Sequence, residues 1–230
     1  MKLIAISDIH GYVDRLREVL ARENDVEVIV FSGDIAPYRN HLETLNSLKR
    51  LLSIAKNFNI GYVVAVPGNV DYINHYKQLE DPTFIYIHEE CERIKDALFI
   101  GFGGSTITPF NTILEYSEED IYRALQSVYT KCKGKTTLDN EFYILVTHAP
   151  PYNTACDRIF SGNHIGSKAI RSFIEYTKPT LALCGHVHES RCIDRIDRTI
   201  IINPGPLAKG FYSTIDIDGR GNINVNLNTL

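Results

Sequence analysis

The segment Lys2-Leu-Ile-Ala-Ile-Ser-Asp-Ile-His-Gly11 decides the fold. Its first half, Lys2 to Ile6, reads as a buried strand. It runs into a polar turn in which Asp8 and His10, two apart in an extended segment, point to the same side. The same pattern recurs outward along the chain. Val26 to Phe31 leads into Ser32-Gly33-Asp34, Gly61 to Val66 into Pro67-Gly68-Asn69-Val70-Asp71, Tyr143 to Val146 into Thr147-His148-Ala149-Pro150, and Leu181 to Cys184 into Gly185-His186-Val187-His188. Val13 to Arg22 and His41 to Phe58 carry apolar residues at helical spacing between the first three strands, which implies right-handed crossovers and a parallel sheet. In such a sheet the C-terminal strand ends share one edge, where ligand sites form, so the clusters should converge.

Downstream, Phe84 to His88, Cys91 to Ile94 and Ala97 to Phe102 read as short antiparallel strands. Ser117-Glu-Glu-Asp120 reads as the cap and acidic first turn of a helix through Val128. A second helix is expected over Ser167 to Tyr176. The tail, Arg191 to Ile196, Thr199 to Ile202, Phe211 to Ile217 and Ile223 to Leu227, is hairpin-like, with Asp218-Gly-Arg-Gly221 as a turn. No repeat, linker or low-complexity segment divides the chain. The expectation is a single domain over residues 1–230, of α/β class, with two packed sheets and helices outside.

With 44% hydrophobic and 23% charged residues, the composition excludes a disordered, collagenous or coiled-coil chain. The net charge of −4 and the lack of a Lys/Arg run argue against non-specific nucleic-acid binding. No apolar run approaches the roughly 20 residues that span a bilayer, so no membrane partner is expected. The first residues pass straight into acidic and His positions rather than a signal peptide, which points to the cytoplasm. Five cysteines, an odd number with no CxxC pair, read as reduced thiols.

The five clusters supply two Asp, one Asn and four His. These oxygen and imidazole donors suit divalent transition metals. Seven donors exceed the needs of one ion and fit two, about 3.5 to 4 Å apart and sharing a carboxylate, an arrangement suited to attack on phosphorus. Taken singly, each Asp or Asn would read as a turn former and each His as a group satisfying backbone atoms.

Taken together and in order, Asp8/His10, Gly33-Asp34, Gly68-Asn69-Val70-Asp71, His148 and Gly185-His186-Val187-His188 resemble the motifs DxH, GD, GNH[DE], H and GHxH of the calcineurin-like metallophosphoesterase superfamily. The resemblance spans residue 3 to about residue 206. It implies a four-layer α/β/β/α sandwich of two mixed β-sheets flanked by helices. It also implies one metal on Asp8, His10, Asp34 and His188, and a second on Asp34, Asn69, His148 and His186, with Asp34 bridging. Asn203-Pro-Gly-Pro206 resembles the family's turn near the site, or is a rigid connector.

Val70 stands where the family's usual third motif has a His that stabilises the phosphoryl group or protonates the leaving oxygen. Asp71 keeps the acidic end, either orienting Asn69 or His148 or capping a helix that begins at Tyr72. The long segment between the fourth and fifth clusters places Asp157, Arg158, Asn163 and His164 beside the site. Arg158 and His164 are the substrate candidates, and His164 is the candidate donor of the proton that valine lacks. Tyr38 and Asn40 raise the same question. His41, His75 and His88 read as surface residues. Cys192 to Thr199 fits the C-x5-R-T pattern of cysteine-dependent phosphatases, but it has no glycine to aim backbone N–H groups at phosphate, so it reads as a hairpin.

The resulting expectation is a metal-dependent phosphoric ester hydrolase acting on small phosphate esters, diesters favoured, through a metal-bound hydroxide. Manganese or iron is the favoured occupant, with zinc, nickel or cobalt compatible with the same donors, and a homo-oligomer is compatible with the sequence. The alternative is a binding scaffold that keeps the fold without hydrolysis.

Overall fold

The computed structural model describes residues 1–37, 40–133 and 142–230. The strands are β1 (Lys2–Ile6), β2 (Val28–Phe31), β3 (Tyr62–Ala65), β4 (Phe84–Tyr86), β5 (Glu90–Ile94), β6 (Ala97–Phe102), β7 (Ser105–Thr106), β8 (Glu115–Tyr116), β9 (Phe142–Thr147), β10 (Leu181–Leu183), β11 (Cys192–Ile196), β12 (Thr199–Asn203), β13 (Phe211–Ile217) and β14 (Ile223–Thr229). The helices are α1 (Arg15–Arg22), α2 (Thr44–Asn57), α3 (Ile73–Lys77), α4 (Glu118–Lys133) and α5 (Lys168–Thr177).

One sheet has the order β14-β13-β1-β2-β3-β4 and the other β11-β12-β10-β9-β6-β5. Both are mixed: the first is parallel from β1 to β4 with antiparallel β13 and β14 on one flank, and the second has a parallel centre with an antiparallel strand on each flank. The inner strands are apolar on both faces because both are covered. Leu3, Ala5, Val28 and Val30 face Phe99, Ile144, Val146 and Leu183 between the sheets. Ile4, Ile6, Ile29 and Phe31 face Leu16, Leu48 and Leu51 of α1 and α2 on the outside. Leu145 and Ala182 face Ile121, Leu125, Phe173 and Ile174 of α4 and α5. This is the expected four-layer α/β/β/α sandwich.

Register explains why the clusters meet. Ile6 pairs with Phe31 and Phe31 with Ala65, so the chain leaves β1, β2 and β3 at one level. In the second sheet Val146 pairs with Leu183 and Leu183 with Ile202.

Four readings from sequence are corrected. β4 runs parallel to β3 in the first sheet, and only β5 and β6 form the expected antiparallel pair. The cysteines are not all reduced thiols: Cys91–Cys132 and Cys156–Cys192 are disulfides, separated by 41 and 36 residues, and Cys184 alone is free and buried. Spacing along the chain gives no hint of pairs that only the tertiary fold brings together. The Cys192–Thr199 stretch is the β11–β12 hairpin, as expected.

The third correction concerns His88, which is buried rather than on the surface. Its Nδ1 accepts the Gly103 N–H at 2.8 Å and its Nε2 lies 3.3 Å from the Tyr116 hydroxyl, against Phe102. Burial first, and the Lys77 charge second, hold it down to about 4 from 6.5. Between these values the unfolded chain takes up a proton that the folded protein refuses. The contribution of His88 to stability is therefore intact above pH 6.5 and falls as the pH drops toward 4, by about 3 kcal/mol at about 1.4 kcal/mol per unit. His88→Gln keeps an acceptor for Gly103 and a donor for Tyr116. The difference between urea unfolding free energies at pH 7 and pH 4.5 should shrink by 2 kcal/mol or more in this variant. An unchanged difference would refute the assignment. The fourth correction, to Asp71, belongs to the site.

Candidate metal centre

Hydrogen bonds beyond the strands hold the first two clusters together. Asp8 N–H donates to Gly33 O at 2.9 Å, His10 N–H to Asp34 O at 3.0 Å and Gly11 N–H to Ile35 O at 2.9 Å. Asp8, His10, Asp34 and His186 all adopt the left-handed region, with φ of 52°, 45°, 61° and 67°. That conformation costs about 1 kcal/mol or more per residue and survives only where surrounding contacts impose it. Gly33 and Gly68 are required where the second and third clusters touch: a Cβ on Gly68 would lie 1.9 Å from Asp34 Oδ1, and one on Gly33 2.4 Å from the Gly68 nitrogen.

All seven expected donors are brought together. His188 Nε2 lies 3.2 Å from Asp8 Oδ1 and 3.2 Å from His10 Nε2. Asp34 Oδ2 lies 3.9 Å from His10 Nε2 and 3.5 Å from His148 Nε2, so this carboxylate faces one imidazole of each expected set. Asn69 Oδ1 sits 2.9 Å from His148 Nε2 and 3.1 Å from His186 Nδ1. Donor atoms of Asp8, His10 and His188 fall within 4.8 Å of one another, as do those of Asp8, Asp34 and His148.

The electrostatics suit cations. Burial pushes the Asp8 and Asp34 carboxyls upward, but the surrounding histidines together, His188 foremost for Asp8 and His148 for Asp34, hold them below the ordinary range. Burial works against a charge on His148, yet Asp34 and Asp8 raise it to about 9. Burial and the neighbouring His148 lower His186 to about 4, and the Asp8 hydrogen bond raises His188. Among the described residues, the ion-pair partners of Asp8 and Asp34 are histidines alone. Two buried carboxylates, four imidazoles and an amide oxygen, with no Lys or Arg among them, form a donor set that fits divalent cations.

Asp71 is corrected on both expectations. It caps no helix, since α3 has Tyr72 at its N-cap without a side-chain bond, and it reaches neither Asn69 nor His148. It accepts instead the N–H groups of Asp34, Ile35, Ala36 and Gly68 and the Tyr76 hydroxyl, at 2.7 to 3.1 Å. Burial and Asp34 push its carboxyl upward, and these donors pull against them. Asp71 therefore clamps the second cluster to the third.

Other positioning groups gave no readable signal in the sequence. His148 Nδ1 lies 2.7 Å from Ser32 O, which turns Nε2 toward the carboxylates. Asn203 donates to Gly185 O and Val187 O, while Leu207 and Ala208 donate to Ser7 O and Asp8 O, so the Asn203–Pro206 turn braces both ends of the site. Thr112 gives its single hydroxyl proton to Glu115 Oε1, so its oxygen must accept from Asn69 Nδ2, at 2.9 Å. That bond fixes the amide with Oδ1 toward the histidines. Thr112→Val keeps the shape and removes the acceptor. If Asn69 holds a divalent ion, the variant should bind it about 10- to 100-fold more weakly, read as a shifted binding step by calorimetry. Unshifted metal binding would show that the orientation comes from elsewhere.

Arg158 and His164 are not brought into this group. Arg158 is exposed, and its carbonyl accepts from Ser190, two residues past His188. His164 is half-buried, with Nδ1 2.7 Å from the buried Asp157 carboxylate and its ring against Tyr152. Asn163 and Asn40 are exposed, and Tyr38 lies outside the described residues. His41 and His75 are half-buried and flank Tyr72.

Comparison with known proteins agrees with this geometry. A family model described as calcineurin-like phosphoesterase matches residues 1–190. An uncharacterized protein of Methanocaldococcus jannaschii is 36% identical over 225 residues, covering 93% of this chain and 92% of that one. The crystal structure of TT1561 of Thermus thermophilus is similar with a TM-score of 0.73 at 18% identity, over 99% of this chain and 98% of that one. A purple acid phosphatase from yellow lupin seeds is similar with a TM-score of 0.62 at 10% identity, over all of this chain and 51% of its own. These two structures share the fold. No helix among the described residues is long and apolar enough to cross a membrane. By the family match over most of its length, the chain belongs to the calcineurin-like phosphoesterase family.

Proposed function

We propose that this protein hydrolyses phosphate esters, diesters in preference, at two divalent metal ions. Asp8, His10, Asp34 and His188 would hold one ion, and Asp34, Asn69, His148 and His186 the other. The observation that carries the proposal is Asp34, whose Oδ2 faces His10 on one side and His148 on the other. Bound there, the ions would lower the pKa of a coordinated water and offset charge on the phosphoryl oxygens. The protein's part is positional. Asp71 fixes the turn that carries Asp34, Ser32 fixes the His148 tautomer and Thr112 fixes the Asn69 amide. Manganese or iron is proposed as the occupant because the resemblance to the family points that way; the oxygen and imidazole donors suit zinc, nickel or cobalt as well.

Arg158 and His164 are proposed as substrate contacts from the Pro151–Gly166 segment. Asp157 accepts the Nδ1 proton of His164, so Nε2 faces away from this carboxylate and carries a proton to give when the ring is in its imidazolium form. The protein reconstituted with manganese should bind about two ions per chain and hydrolyse bis(p-nitrophenyl) phosphate, and a chelator should abolish turnover. Arg158→Ala and His164→Ala should keep both ions while changing kcat or KM. Stoichiometric metal with no turnover across mono- and diesters would favour the scaffold reading instead.

A further inference from the structure

Eleven large hydrophobic side chains are exposed among the described residues, and eight of them lie in connections that leave the C-terminal ends of β1, β2, β3, β6 and β9. These are the connections that carry or adjoin the seven donors. The most exposed are Phe160 at 91%, Phe110 at 74% and Ile107 at 72%. Two of these tips are tied to ligand-bearing segments. Asn69 O accepts the Leu114 N–H at 3.0 Å and Asn69 Nδ2 reaches Thr112, which anchors the loop bearing Phe110 beside one half of the centre. Glu189 accepts the Phe160 N–H, and Ser190 donates to Arg158 O, which anchors Phe160 just past His188 at the other half.

Isolated exposed apolar residues mean little, but their concentration at one edge, around one site, marks a binding surface. The sequence of the same connections is poor in cations. Residues 7–14, 32–43, 66–72, 103–117, 148–167 and 184–191 hold three arginines, Arg39, Arg158 and Arg191, and no lysine. A polyanionic substrate would call for more. Resting on the phosphoesterase reading above, we propose that the substrate is a phosphodiester with one extended apolar ester group, and that Phe110 and Phe160 take up this group at the mouth of the metal centre.

The test is a series of p-nitrophenyl alkyl phosphodiesters from ethyl to octyl, assayed with manganese below their micelle points. kcat/KM should rise about twofold per methylene, half of what full burial of the group would give, or roughly 60-fold across the series. Phe110→Ser with Phe160→Ser should flatten the series, since the longer esters then lose the apolar surface that they cover in the wild type. Calorimetry with octylphosphonate and ethylphosphonate reads the same preference without turnover, so a protein that hydrolyses nothing still tests the proposal. A flat series, a slope that survives in the double variant, or equal affinity for the two phosphonates would overturn it. A preference seen only above the micelle point, with sedimentation on phosphatidylcholine vesicles, would also overturn it by assigning the edge to a lipid surface. Failure of the ethyl ester alone, with octylphosphonate still preferred, would count against the phosphoesterase reading and leave this one standing.

Discussion

Asp34→Asn should lower kcat/KM by about 10³ or more and reduce bound metal from about two ions to one or none. The substitution is nearly isosteric, and the local contacts dictate how the amide sits. Val70 N–H donates to Asp34 Oδ1 at 3.0 Å, so the asparagine keeps its oxygen there and turns its NH₂ toward His10 and His148. A donor then faces the place where both ions need a lone pair. The metal-free fold should form but lose some stability. Asp8 repels Asp34, but His148 outweighs it and holds the Asp34 carboxyl below its ordinary range, so Asp34→Asn leaves the buried His148 without this carboxylate. An unchanged far-ultraviolet circular dichroism spectrum and cooperative thermal unfolding without metal, together with the loss of turnover and metal, separate a ligand defect from misfolding. Full activity in metal-depleted Asp34→Asn protein would sink the two-metal proposal.

The parts of the protein that were legible in its sequence follow from one local rule, a strand with both faces covered that ends in a tight polar turn. Lys2 to His10 shows why the rule works: the apolar run fixes the strand, and the residues after it cannot be strand and must do something else at the sheet edge. The sandwich and the seven donors are both read from that rule. Long-range geometry was not legible. Asp71 looked like a cap because it precedes a helix, but its partners Asp34, Ile35 and Ala36 are supplied by a crossing loop 35 to 37 residues away. Thr112 and Glu115 sit in an undistinguished loop and acquire meaning only because Leu114 hydrogen-bonds Asn69. His88 alternates like a surface residue at a strand end, yet Gly103 and Tyr116 close over it. The disulfide partners are likewise neighbours in space alone.

Val70→His should restore protonation of poor leaving groups, a contribution typically worth 10² to 10⁴ in rate. Valine has no proton to give, so the wild type should cleave esters of low-pKa alcohols well and alkyl esters poorly, with a steep dependence of log kcat/KM on leaving-group pKa. The position is favourable for an imidazole. The Val70 amide bonds Asp34 Oδ1, so a side chain grown from this residue starts beside the carboxylate proposed to bridge the ions, and Val70 is only half-buried. In Val70→His the slope should flatten, with the gain confined to substrates whose leaving groups need a proton and p-nitrophenyl esters nearly unchanged. Metal content should stay at the wild-type value, because the seven donors are untouched. His164 supplies the control: it is the alternative source of that proton, held by Asp157 and outside the donor group. If the wild-type slope is already shallow and steepens in His164→Ala, the loop histidine carries the proton and Val70→His adds nothing. If the slope is steep and stays so in Val70→His, an imidazole at this position does not reach the leaving oxygen, and the role given to this substitution fails.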